Sequence, residues 1–250
     1  MSNNPDEGAA SDISAIAGAK ESATISTLTG LPLPYRQIVF NAEKPGKFSL
    51  LLFLHGAGER GTDNEKTKLH AVGKICRYIA DKELKIVLLI PQCPEQYQWV
   101  EVPWSAMSHT LPETPSLPMQ AVMALLDAKV AEFSVDPAQI RVCGISRGGY
   151  GTWDILCRRP KFFAAGFAVC GGADETQLPK LKNLNLNIYH GVIDTIVPVE
   201  RSRHIVEALQ KAGNTQVLYV ELPEVGHFSW EAAFGDRGAM DKFFATLLKS

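Results

Sequence analysis

Residues 139–154 read QIRVCGISRGGYGTWD. Gln139 to Ile145 form a mostly apolar run of strand length, and Gly148 to Arg159 form a helix-like stretch. Between them lies Gly144-Ile145-Ser146-Arg147-Gly148, a G-x-S-x-G pattern. Where a strand turns sharply into a helix, side chains two residues either side of the serine collide, and glycine has no Cβ to collide with. The pattern predicts Ser146 raised above a sheet edge at a helix N-terminus, where free N–H groups favour a developing negative charge.

Working outward, the chain alternates strand and helix signals. Strands are predicted at Tyr35–Phe40, Ser49–His55, Lys85–Pro91, Gln139–Ile145, Phe163–Cys170, Leu186–His190 and Gln216–Glu221. Leu50 to Leu54, Ile86 to Ile90 and Ile140 to Ile145 are nearly continuous apolar runs, which suits strands covered on both faces in a parallel sheet. Helices are predicted at Leu117–Phe133, where Val122, Leu125, Leu126 and Val130 keep a helical period, and at Gly148–Arg159, Val199–Ala212 and Ser229–Leu248. Such alternation indicates an α/β class protein with a mostly parallel sheet. Residues 1–30 are small and polar and read as a flexible N-terminal arm, with residues 31–250 as a single domain. Between Pro94 and Pro118 five prolines, with Trp99 and Trp104, break the alternation. Proline removes donors and fixes φ, so a long lid or binding loop is expected there.

Bulk composition narrows the function. The chain has 250 residues, 25 basic and 27 acidic, giving a formal net charge of −2, so no basic surface marks a nucleic-acid partner. No apolar run reaches the length of a membrane span. Met1 to Glu21 has no basic start and no solid hydrophobic run, since Asp12 interrupts it, and does not read as a signal peptide. A cytoplasmic protein is expected, or a secreted one whose leader was removed. Five cysteines, with no C-x-x-C pair, argue against a disulfide framework and a structural zinc site. No H-E-x-x-H or phosphate-binding glycine motif follows a strand, so neither a metal nor a cofactor is expected.

A serine is inert at neutral pH without a base. On a strand–turn–helix nucleophile of this kind the chain order is serine, then carboxylate, then histidine. Of six histidines only His227 follows the last predicted strand; the bland reading is a surface-loop histidine. Asp194, just after the strand ending at His190, is the expected acid, with Asp174 and Glu175 one strand earlier as competitors. Its task is to fix the imidazole tautomer and stabilise the imidazolium. The oxyanion donors are expected to be the backbone N–H groups of Arg147 and of Ala57, in His55-Gly56-Ala57-Gly58, with Gly58 as the alternative. His55 is expected to anchor that loop through its ring nitrogens.

Together the passages FLHGAGERGTDN (53–64), PQC (91–93), GISRGGYGTWD (144–154), HGVIDTIVPVERSR (190–203) and GHFSW (226–230) resemble the α/β-hydrolase superfamily. More narrowly they resemble its bacterial esterase branch, related to feruloyl esterases, acetyl xylan esterases and polyhydroxybutyrate depolymerases and often labelled predicted peptidases or phospholipase/carboxylesterases. The resemblance implies the α/β-hydrolase fold, a mostly parallel twisted sheet with helices on both faces, and a triad at Ser146, Asp194 and His227. It implies a serine-dependent hydrolase of small-molecule or acylated-sugar esters. Relatives more often carry Met or Gln at the position of Arg147, so this side chain alters the mouth of the pocket. Trp104 and Trp99 are expected to wall the acyl or sugar side. Two other readings remain: a serine peptidase of prolyl-oligopeptidase type, which usually carries an additional propeller domain, and a non-catalytic binding protein on the same fold.

Overall fold

The computed structural model describes residues 12–245 and 247–248. Eight strands form one sheet: β1 (Ala19–Ser26), β2 (Leu33–Phe40), β3 (Phe48–Leu54), β4 (Ile86–Pro91), β5 (Val135–Ile145), β6 (Ala165–Val169), β7 (Asn185–Gly191) and β8 (Val217–Leu222). Their spatial order is β1-β2-β4-β3-β5-β6-β7-β8. β1 and β2 run antiparallel to their neighbours, and β4, β3, β5, β6, β7 and β8 are mutually parallel. This is the α/β-hydrolase architecture.

The continuous apolar runs are explained by what covers them. Leu50, Leu52 and Leu54 of β3 enter one core cluster while Leu51 and Phe53 enter another; Val87 and Leu89 of β4 are likewise divided from Ile86, Leu88 and Ile90. Successive side chains point to opposite faces, so an apolar residue is needed at every position when both faces are buried. Three helices, α2 (Leu117–Glu132), α3 (Arg147–Arg158) and α4 (Glu200–Lys211), supply residues to the first cluster. The second is covered by α1 (Val72–Asp81) and α6 (Arg237–Phe243). At the start of α2 the Ser116 hydroxyl accepts from the Met119 N–H at 3.2 Å, and Pro118 fills the first turn, where its missing donor costs nothing.

Two expectations are corrected. The supposed N-terminal arm contains β1, paired along its full length with β2, and Ile13 is buried; residues 1–11 lie outside the described part. The helix expected over Ser229–Leu248 is two short pieces, α5 (Trp230–Ala233) and α6, parted at Gly235-Asp236, where the Asp236 carboxylate caps α6 by accepting from the Ala239 N–H. Helix α1 was not anticipated, although Val72, Ile75, Cys76 and Ile79 keep a helical period. Among the described residues no helix is long and apolar enough to cross a membrane.

Candidate active site

Strands β3, β5, β7 and β8 are parallel, so the loops after them share one edge of the sheet, the edge at which open α/β sheets hold ligands. Ser146 follows β5, Asp194 follows β7, His227 follows β8, and Gly56-Ala57-Gly58 follows β3.

Ser146 occupies φ 52°, ψ −118°, a conformation costly for a residue with a side chain. It is held by neighbours on both sides. Its N–H donates to the Val169 carbonyl at 2.9 Å, and its own carbonyl accepts from Tyr150 N–H as α3 begins. The glycines have the reason expected for them: a Cβ on Gly144 would strike the Gly148 backbone, and one on Gly148 would strike the Leu54 carbonyl. The first turn of α3 thus packs against the end of β3 at a distance only hydrogen atoms allow.

Ser146 Oγ lies 2.8 Å from His227 Nε2, and His227 Nδ1 lies 2.7 Å from Asp194 Oδ2. Burial pushes the Asp194 carboxyl up, but hydrogen bonds from His190 and His227 and from the Val197 N–H outweigh it, leaving the carboxyl well below the usual range. An ionised carboxylate only accepts, so Nδ1 carries the proton and the Nε2 lone pair faces the serine hydroxyl. Each Asp194 oxygen is occupied: Oδ1 accepts from the Ile196 and Val197 N–H groups at 2.8 and 2.9 Å, and Oδ2 also has His190 Nε2 at 3.3 Å. His190 is fully buried, with Nε2 2.9 Å from the Val197 carbonyl and Nδ1 2.7 Å from Ser202 Oγ. The carbonyl can only accept, so His190 carries its proton on Nε2, between that carbonyl and Asp194. Sequence reasoning assigned this second histidine nothing; its signal was the four-residue spacing to Asp194 in HGVID.

Asp174, the competing acid, is engaged elsewhere. Its Oδ1 accepts from the Thr176 N–H and hydroxyl, and its Oδ2 from the Leu111 N–H at 2.8 Å. His227 bonds Asp194 rather than Asp174 or Glu175.

His55 holds the loop after β3 as expected. Its Nδ1 donates to the Gly56 carbonyl at 2.6 Å, and its Nε2 accepts from the Cys93 N–H at 3.0 Å. Burial lowers its pKa, keeping the ring neutral and able to do both. Arg60 Nε donates to the Ala57 carbonyl, and Gln92 Nε2 to that of Glu59. The loop is fixed from several sides.

A cavity of about 450 Å³ opens over Ser146, lined by Ala57, Arg147 and Trp104 and by Ile196, Phe228 and Trp230. Phe228 and Ile196 are exposed, and the His227, Phe228 and Trp230 rings meet edge to face. In sequence the signal for these apolar walls is the pair of aromatics, Phe228 and Trp230, that follow His227 in GHFSW. The two loop tryptophans separate. Trp104 is partly exposed and lines the cavity, whereas Trp99, expected beside it, is 2% exposed. Its indole N–H donates to the His55 carbonyl at 3.0 Å, its ring packs against His55 at 5.1 Å, and it buttresses the loop after β3 from behind. Trp99 therefore does not line the cavity over Ser146, contrary to expectation.

Cys170 Sγ, Asp194 and His227 offer donor atoms within 4.8 Å of one another. Burial pushes the Cys170 thiol up to about 12, and a thiol ligates a metal only after losing its proton. The grouping is the His227–Asp194 pair with a neutral thiol behind it. All five cysteines are free and buried.

Residues 35–247 match the family described as phospholipase/carboxylesterase. A probable carboxylesterase of Oryza sativa subsp. japonica is 26% identical over 199 residues, spanning 72% of this chain and 71% of the rice protein. The crystal structure of a thermostable esterase superposes with a TM-score of 0.80 at 30% identity, covering 92% of this chain; that chain is longer, and 63% of it is matched. An acylaminoacyl peptidase of Pyrococcus horikoshii shares the fold, with a TM-score of 0.67 at 16% identity over 95% of this chain and 43% of its own.

Proposed function

Since the chain belongs to the phospholipase/carboxylesterase family, we propose that this carboxylesterase-type hydrolase cleaves its esters through an acyl-enzyme on Ser146. The observation that supports this reading is the unbroken hydrogen-bonded line Ser146–His227–Asp194 beneath the cavity. Ser146 Oγ attacks the ester carbonyl as its proton passes to His227 Nε2, and Asp194 stabilises the imidazolium. The carbonyl oxygen becomes an oxyanion, and the role of receiving it is assigned to the N–H groups of Ala57 and Arg147, both in the cavity lining. Collapse expels the alcohol, which takes the proton from His227 and leaves the acyl group on Ser146. Water then attacks that ester, giving its proton to the same nitrogen. The acid departs as Ser146 Oγ takes that proton back from His227, which restores both the hydroxyl and the neutral imidazole.

The substrate class proposed is a small-molecule or acylated-sugar ester, with Trp104 as one wall of the acyl or sugar subsite. Phe228, Trp230 and Ile196 form an apolar surface suited to an acyl chain or an aryl ring. A panel of acyl-chain-length and aryl esters with a peptide control, run on wild type and Ser146→Ala, tests the reading. Ester turnover falling on the order of a millionfold in the variant is expected. Hydrolysis of the peptide alone, or turnover indifferent to the substitution, contradicts it.

A further inference from the structure

Arg147 follows the serine in sequence, and among the described residues no carboxylate pairs with its side chain. The guanidinium lies over the Trp104 ring, 3.8 Å from its centroid, at the wall of the cavity. Its Nη1 is buried with no hydrogen-bond partner. Arg36, Arg158, Arg159, Arg203 and Arg237 each pair with a carboxylate; among the described residues Arg147, like Arg60 and Arg201, pairs with none, but those two donate to carbonyls instead.

The charged groups around it leave the cation unmatched. Arg60 is close enough to act on Arg147, and its own guanidinium donates only to the carbonyls of Ala57, Glu95 and Tyr97. Burial, and then the charge of Arg60, lower the Arg147 pKa, with Cys93 and the exposed Glu101 pulling the other way. The one carboxylate in the cavity lining, Glu59, is buried and has Oε1 on His70 at 3.0 Å. A half-buried guanidinium at an apolar wall keeps an unbalanced charge, and a neutral hydroxyl can hydrogen-bond it but does not neutralise it. A carboxylate answers both, in the planar geometry a guanidinium fits best.

We infer that Arg147 selects esters that carry a second, free carboxylate, such as half-esters of dicarboxylic acids or esters of acidic alcohols, with the anion seated against the guanidinium on the Trp104 ring. This rests on the acyl-enzyme reading above and narrows its substrate class.

Two matched pairs of substrates test it and show which side of the ester carries the charge. On the acyl side the pair is p-nitrophenyl hydrogen adipate against p-nitrophenyl hexanoate. On the leaving-group side it is 4-acetoxybenzoate against its methyl ester. The readout is the ratio of kcat/KM within each pair, which cancels any change common to both members. In wild type one pair is expected to favour the anion by on the order of tenfold or more, the size of a hydrogen bond to a charged group. That ratio should shrink as salt is raised, approach one in Arg147→Met, and invert in Arg147→Glu. Should either variant fail to fold, the wild-type ratio and its salt dependence still decide. A wild-type ratio near or below one in both pairs, with the neutral esters turned over, overturns the inference and leaves the acyl-enzyme reading standing. Turnover of none of the four esters overturns both.

Discussion

Two aspartates follow neighbouring parallel strands at the same edge of the sheet, and the structure uses them oppositely. Asp174, after β6, accepts from Thr176 and from the Leu111 N–H, so it ties the 94–118 loop to the body of the domain. Asp194, after β7, accepts from two N–H groups of its own turn and from His227, with His190 beside it. What differs is the partner that the fold brings to each carboxylate: β8 delivers an imidazole to one, and the proline-rich loop delivers a backbone amide to the other. A carboxylate's chemistry is set by what faces it, not by its position at a strand end.

The largest expected effect separates the two directly. In Asp194→Asn the amide nitrogen faces Nδ1, the imidazole turns its lone pair away from Ser146, and kcat should fall about ten-thousandfold at neutral pH. Asp174→Asn, measured alongside, should lose about 1 kcal/mol of stability in urea unfolding with kcat changed by a few-fold at most. If Asp174→Asn proves the more damaging to kcat, the acid has been assigned to the wrong loop.

His190→Gln should have an intermediate effect. The donor to Asp194 is weakened while the two backbone donors to Oδ1 remain, so kcat should drop on the order of tenfold with KM little changed. A purely structural role for His190 would lower the urea midpoint and leave kcat per folded molecule as in wild type.

A smaller, pH-dependent effect sharpens the comparison further. The hydrogen bonds of Asp194 outweigh its burial and depress its pKa, so it contributes stability that is complete above the unfolded value, about 3.9, and is lost as pH falls towards the folded one. The gap in urea midpoint between wild type and Asp194→Asn should be constant from pH 7 to 5 and narrow below about pH 4. A gap that widens on acidification contradicts the assigned direction of the shift.

The parts of this account legible in the sequence were those where sterics or chemistry demand a residue type at a fixed place. Gly144 and Gly148 are required by backbone contacts with one another and with Leu54, and so marked the turn. Leu50 to Leu54 and Ile86 to Ile90 are covered on both faces, and so read as strands in a parallel sheet. Ser146, Asp194 and His227, named from chain order, are brought within hydrogen-bonding reach of one another. Strand β1 was illegible because it is an edge strand, mostly exposed, with no apolar alternation to betray it. Trp99 and Trp104 share one loop and one composition; only tertiary packing decides that the first faces inward to His55 and the second faces the cavity. Helix α1 carries a legible signal, since Val72, Ile75, Cys76 and Ile79 keep a helical period.

In the proposed mechanism Ser146 Oγ is the atom that carries the acyl group. Incubating the protein with an aryl ester, quenching in acid and mapping the adduct by peptide mass spectrometry tests this directly. An acyl mass on the peptide containing Ser146, absent from Ser146→Ala and accumulating when deacylation is slowed, is the expected result. Full ester turnover by a protein in which that serine is never modified, or an adduct mapped to another residue, would contradict it.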